Sequence, residues 1–148
     1  MRSFVLALIA ALFCASAHAA ALPRSTISIA TKHGVAIFHV EIAADQASQE
    51  KGLMFRRHMA PDAGMLFDFH QPSFVTFWMK DTILPLDMIF IRDDGSIASI
   101  AANARPQSLK LIKSTEAVRA VLEINGGRAA ALGIAPGERV KSAIFTVH

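Results

Sequence analysis

Residues 74–91 read FVTFWMKDTILPLDMIFI. The run is apolar almost throughout, holds the only tryptophan, Trp78, and carries its charges (Lys80, Asp81 and Asp87) at or beside a turn that contains Pro85. Two stretches rich in β-branched and aromatic residues around a Pro-containing break predict a strand over 74–79, a loop over 80–85 and a strand over 86–91. A charge inside so apolar a segment is costly unless paired, so these three residues are the first that need a role.

Working outward, the same short-strand grammar recurs. Val35 to Ile42 alternates, with Phe38, Val40 and Ile42 on one face and Ile37, His39 and Glu41 on the other, the period of a half-buried strand. Ile27 to Ala30 is predicted as its partner across the turn Thr31-Lys32-His33-Gly34. Asp45 is a natural N-cap for a helix over Gln46–Met54, with Gln49 in reach for a capping box. Met65 to Phe69 reads as another strand after the turn Pro61-Asp62-Ala63-Gly64. Asp94-Gly95 marks a tight turn into a strand over 97–104, and 105–116 reads as a long surface connection. A strand over 118–124, a short helix over 126–132 capped by Asn125 and stopped by Gly133, and a final strand over 140–147 complete the chain.

Many short strands with two short helices predict a mainly β fold, a compact antiparallel β-sandwich or partly closed barrel with one or two short helices. A doubly wound α/β sheet would need more and longer helices. The length of 148 residues fits one domain. Residues 1–19 have the layout of a secretory signal peptide: Arg2, an apolar run from Phe4 to Phe13, then small residues ending in Ala17-His18-Ala19. That run is shorter than the roughly 20 residues a spanning helix needs. The expectation is a signal peptide over 1–19, a mobile N-terminal segment over 20–26, one domain over 27–148, and a periplasmic or secreted location after cleavage near Ala19, with no membrane span in the mature chain.

Cleavage there removes Cys14, the only cysteine, so disulfides, thiolate metal sites and a cysteine nucleophile are excluded from the mature part. The formal charge is +3, of which Arg2 supplies one unit, and only Arg56-Arg57 are adjacent basic residues. No basic stripe suited to a phosphate backbone is read, so nucleic acid is not an expected partner.

Several segments together resemble the DUF192 (UPF0127) family: Gly52-Leu53-Met54-Phe55-Arg56, Gly64-Met65-Leu66-Phe67, Phe77-Trp78-Met79-Lys80, Pro85 to Ile91, Val121 to Gly127, and Gly133-Ile134 with Pro136-Gly137. The similarity runs from about Ile27 to the C-terminus, with the motifs in order. It implies a compact β-rich domain, often exported in bacteria, and no assigned activity. The family's usual Asn after Trp-Met-Lys is replaced here by Asp81, which as a carboxylate accepts hydrogen bonds but donates none.

Three chemistries compete. If strands 74–79 and 86–91 pair with Met79 opposite Leu86, Trp78 faces Asp87 and Lys80 lies diagonal to Asp87, giving an aromatic plane, an ammonium and a carboxylate on one face. That cleft, with Asp81, Arg56 and Glu123 beside it, is the candidate ligand-binding site; the plain structural alternative is a Lys–Asp pair closing a hairpin over a core Trp. The methionines Met54, Met59, Met65, Met79 and Met88, near His58 and His70, have the ligand chemistry for Cu(I), although Met filling gaps in a β core is the preferred reading. Asp68, Asp87 and Glu123 would serve a hydrolase only if two of them met, and no known catalytic motif accompanies them. The sequence therefore predicts an exported, non-enzymatic binding module for a small ligand or an envelope protein. No catalytic residue, metal site or cofactor is assigned, with Cu(I) handling and hydrolysis as alternatives.

Overall fold

The computed structural model describes residues 21–145. The leader-like residues 1–19 and the end of the expected last strand, 146–147, lie outside the described residues. No helix among those described is long and apolar enough to cross a membrane.

The chain opens with a hairpin, β1 (Arg24–Thr31) and β2 (Gly34–Ala43), paired antiparallel from Arg24↔Glu41 to Thr31↔Gly34. β1 thus begins at Arg24, three residues before the expected Ile27. Helix α1 (Gln46–Lys51) follows, capped as expected by Asp45. The reciprocal capping contact comes from Ser48, not Gln49; the Gln49 amide instead donates to the carbonyls of Ala43 and Asp68. α1 carries the chain back so that β3 (Ala63–Ser73) pairs with β2 in parallel, the one departure from an antiparallel sheet; a parallel pair needs such a long crossover.

The strands β4 (Thr76–Phe77) and β5 (Leu86–Ile91) follow, but they do not pair with each other. β5 sits between β6 (Ile97–Ala104) and β8 (Val118–Asn125), all six of its residues buried. β4 pairs with β7 (Ile112–Lys113), a two-residue strand inside the segment read as a surface connection. The expected hairpin over 74–91 is therefore not formed. An uninterrupted apolar strand such as LDMIFI belongs at the middle of a sheet, with partners on both edges and cover on both faces, and that position leaves no edge for 74–79. Helix α2 (Arg128–Leu132) and β9 (Val140–Lys141) close the chain.

The main sheet has the order β6-β5-β8-β3-β2-β1-β9. It curls until its two edges approach: Ser96 bridges Arg139, and Ile97 and Val140 donate to the carbonyls of Glu138 and Gly95. The result is a mainly β, partly closed barrel. Two apolar cores lie on either side of the sheet. The inner one joins residues from both edges, among them Ile27, Phe38, Leu66, Ile89, Ile97 and Val140. The outer one gathers Phe67, Leu86, Met88, Phe90 and Val121 and is covered by Leu53, Met59, Met79, Phe77 and Ile112, which come from the connections and the small β4–β7 ribbon. Alternation along β5 and β8 sends neighbouring residues into different cores, and this decides the site.

Candidate functional site

Glu123 lies on β8, flanked in register by Met65 of β3 and Met88 of β5. Both neighbours are fully buried thioethers, so the carboxyl, itself only 4% exposed, is surrounded by weakly polar matter. Burial pushes its pKa up to about 8, leaving it protonated at neutral pH. Among the described residues it has no ion-pair partner. Arg56, expected beside it, pairs instead with Glu41, which stands on the same face one strand beyond Met65. With strands about 4.8 Å apart, that pair sits about 10 Å from Glu123.

Glu123 faces a small cleft walled by Phe67, Phe77 and Trp78, with Thr82, Met54 and the C-terminal turn of α1 at its rim. The cavity is about 50 Å³, room for one small functional group. Gly52 lets the end of α1 come down on the aromatic wall, since a Cβ there would stand 3.2 Å from Phe67 Cζ at a left-handed φ of 47°. Phe77 in turn stacks edge-on against Phe67 and Phe90, with centroids 5.1 and 6.4 Å away, which fixes the wall.

Of the residues expected to form the site, the fold brings Trp78 and Glu123 together. Lys80 reaches the Trp78 ring, its Nζ 5.2 Å from the centroid. Asp81 sits in the left-handed region (φ 52°) and its carbonyl accepts the Phe55 N–H at 2.8 Å. Asn and Asp are the side chains that tolerate this conformation, so the exchange of one for the other has a backbone explanation that needs no donor. Arg56 borders the same face but spends its charge on Glu41.

Asp87 is elsewhere, and the expected Trp78–Asp87 and Lys80–Asp87 contacts are not formed. It alternates with Leu86 and Met88 and so points toward the inner core, fully buried, where its Oδ1 accepts from the N–H groups of Asn103 (2.8 Å) and Gly127 (3.0 Å) and its Oδ2 from Ala129 (2.8 Å). It is the cap of α2. Asn125, expected in that role, instead donates to the carbonyls of Met59 and Ala60. Two amides at the start of this helix, those of Gly127 and Ala129, are thereby satisfied within the chain.

The three strand carboxylates do not converge. Asp68 neighbours Phe67 and Phe69 on β3 and points to the face opposite Glu123, where Arg119 binds it through Nε (2.8 Å) and Nη2 (3.3 Å). Burial draws the Asp68 pKa upward, but the Arg119 guanidinium and the His70 N–H outweigh it and hold the carboxyl below its ordinary value. Met59, Met65, Met79 and Met88 all pack in the outer core. His70 bonds the Ala44 carbonyl and lies beside Asp68. The missed feature of the site is the aromatic wall supplied by β3 and β4, which the wrong pairing of 74–79 had hidden.

Comparison with known proteins agrees with this architecture. The family model of DUF192, described as "Uncharacterized ACR", matches residues 27–142, and the chain belongs to that family. No curated protein matches it. Among solved structures it is similar to a chain from Sinorhizobium meliloti 1021 named as a "putative transcription regulator" (TM-score 0.83, 44% identity, covering 86% of this chain and 99% of that one). It is also similar to a protein of unknown function from Novosphingobium aromaticivorans DSM 12444 (TM-score 0.80, 41% identity, covering 82% and 86%).

Proposed function

We propose that this DUF192 domain is an exported, non-enzymatic binding module of the cell envelope, and that its site is the Glu123–Trp78 cleft. The carrying observation is a buried carboxyl, without an ion-pair partner among the described residues, that faces an aromatic-walled opening. Convergence of a polar group with apolar walls is the usual character of a small-molecule site. A protonated Glu123 presents an O–H donor, so the matching group is an uncharged acceptor, an amide or carbonyl small enough for the cavity, held between Trp78 and Phe77. Export rests on the leader-like residues 1–19. The non-enzymatic reading is supported by the separation of Asp68 and Asp87 from Glu123; the other carboxylate at the cleft, Glu50, stands on the exposed side of α1, where the Gln46 amide donates to it.

The test is thermal shift with acetamide-bearing cell-wall sugars such as N-acetylglucosamine, since a ligand bound only by the native state raises Tm by mass action. The expected shift is kept by Glu123→Gln, which still donates, and lost in Glu123→Met and Trp78→Ala. A shift that survives Glu123→Met would sink the assignment of the cleft.

A further inference from the structure

Eight large apolar side chains are strongly exposed among the described residues, and six of them (Phe55, Phe74, Trp78, Ile83, Leu109 and Leu111) fall in three segments, 52–57, 74–85 and 105–113. These segments form one unit. β4 pairs with β7, Phe55 N–H donates to the Asp81 carbonyl, Met79 N–H to that of Ser108 and Gln107 N–H to that of Thr82. Along the ribbon, Val75, Phe77 and Met79 turn inward while Phe74, Thr76 and Trp78 turn out; opposite them, Ile112 packs inward between the exposed Leu111 and Lys113.

Charge follows the same division. The three segments carry six basic residues (Arg56, Arg57, Lys80, Arg105, Lys110 and Lys113) and one acidic, Asp81. The rest of residues 21–145 carries eight basic and eleven acidic. A chain with no basic stripe in its sequence thus places a unit of formal charge +5 on a body of formal charge −3.

From the juxtaposition of outward Phe74, Trp78, Leu109 and Leu111 with this basic excess, we infer that the outer face of the β4–β7 ribbon docks on an anionic lipid bilayer. Apolar and basic residues are interleaved along the ribbon, as in Leu109-Lys110-Leu111-Ile112-Lys113. Lysine is depleted from the cores of protein interfaces, where it would interrupt the apolar centre. At a membrane surface the same interleaving fits, with apolar tips entering the headgroup boundary and Lys and Arg extending to the phosphates. A second copy using this face would bring like charge against like. Trp78 is shared with the Glu123 cleft, but Lys110, Lys113, Leu109 and Leu111 do not line it, so changes at those four positions test the docking face apart from the ligand reading.

Trp78 is the only tryptophan and stands on this face, which makes its fluorescence a local reporter. The apolar run at Phe4–Phe13 of the full chain has its own affinity for lipid, so the readout is Trp78 emission and not sedimentation. On vesicles of equal parts phosphatidylcholine and phosphatidylglycerol the emission is expected to move to the blue, to return as salt is raised, and to stay unmoved on phosphatidylcholine alone. Loss of either lysine should weaken the transition about five-fold, and Lys110→Glu with Lys113→Glu should abolish it. Leu109→Ser with Leu111→Ser should weaken it at unchanged charge. An unmoved emission, an equal shift on neutral vesicles, or a shift indifferent to the lysine changes overturns the inference. So does a shift with polyglutamate or duplex DNA where anionic vesicles give none, which would assign the face to those partners. If a variant fails to fold, the wild-type lipid and salt dependence alone decides.

Discussion

Asp87 Oδ2 accepts the backbone N–H of Ala129 at 2.8 Å, so a residue at the start of the interior strand β5 caps a helix more than forty positions later. The contact reassigns Asp87 from ligand chemistry to architecture. Asp87→Ala removes the acceptor for three N–H groups in a buried place and is expected to cost about 3 kcal/mol or more in denaturant unfolding. Asp87→Asn keeps one oxygen but turns an amide donor toward another donor, and should fall between alanine and wild type. An alanine variant within about 0.5 kcal/mol of wild type would contradict this role.

Glu123 gives stability an unusual pH dependence. Its folded-state pKa, near 8, lies above the ordinary 4.5, so between those values the native state holds a proton that the unfolded chain has released. Stability is therefore greatest below about pH 4.5 as far as this group is concerned, and falls progressively as pH rises from there to about 8, by an amount on the order of 5 kcal/mol. Glu123→Gln should flatten this part of the profile and exceed wild type in Tm at pH 9. Parallel profiles for the two proteins would refute it.

The Asp68–Arg119 pair acts in the opposite direction. With its folded pKa below the ordinary value, Asp68 contributes stability that is present above about pH 4 and lost as pH falls through the folded value. Arg119→Met strands a buried carboxylate and should cost roughly 3 kcal/mol near neutrality. The cost should shrink on acidification, which unfolding curves at successive pH values would show.

A fourth expectation concerns backbone approach. A Cβ on Gly64 would lie 2.6 Å from the Glu123 carbonyl, with no flexible side chain to yield. Gly64→Ala should cost about 1–3 kcal/mol by forcing β3 and β8 apart, and it should also weaken any ligand of the Glu123 cleft. At Asp81, by contrast, Asn should be neutral and Val destabilising, because only the left-handed backbone is at stake.

Much of the fold was legible because local rules and tertiary structure agree. The β1–β2 alternation, the Asp45 cap, the Asp94-Gly95 turn and the Gly133 stop are local chemistry, and each stands where it was expected. The strands over 74–79 and 86–91 show where this ends. Leu86 to Ile91 is apolar at every position but Asp87, so no period tells which face or neighbour each residue takes, and sequence adjacency suggested a hairpin that the sheet order excludes. Asp87 was singled out correctly as a charge needing partners, but those partners are backbone N–H groups, which every residue carries and no motif advertises. Glu123 could be named from sequence; its burial could not, because it depends on Met65 and Met88 flanking it from the neighbouring strands.

The seam between β6 and β9 carries a consequence for how the molecule breathes. Six strands are joined by ladders of five to eight pairs, but the barrel is shut by the short stretch 94–97 against 137–140. β9 itself holds β1 through just the pairs Ser28↔Lys141 and Ile29↔Val140. Under native conditions the amides of Ile97 and Val140 should therefore exchange with solvent long before those of β5 and β8, as the barrel opens along this line without global unfolding. The inner core, with Asp87 and its helix, would then be reached from the side farthest in the sheet order from the β3–β8 pair that carries Glu123.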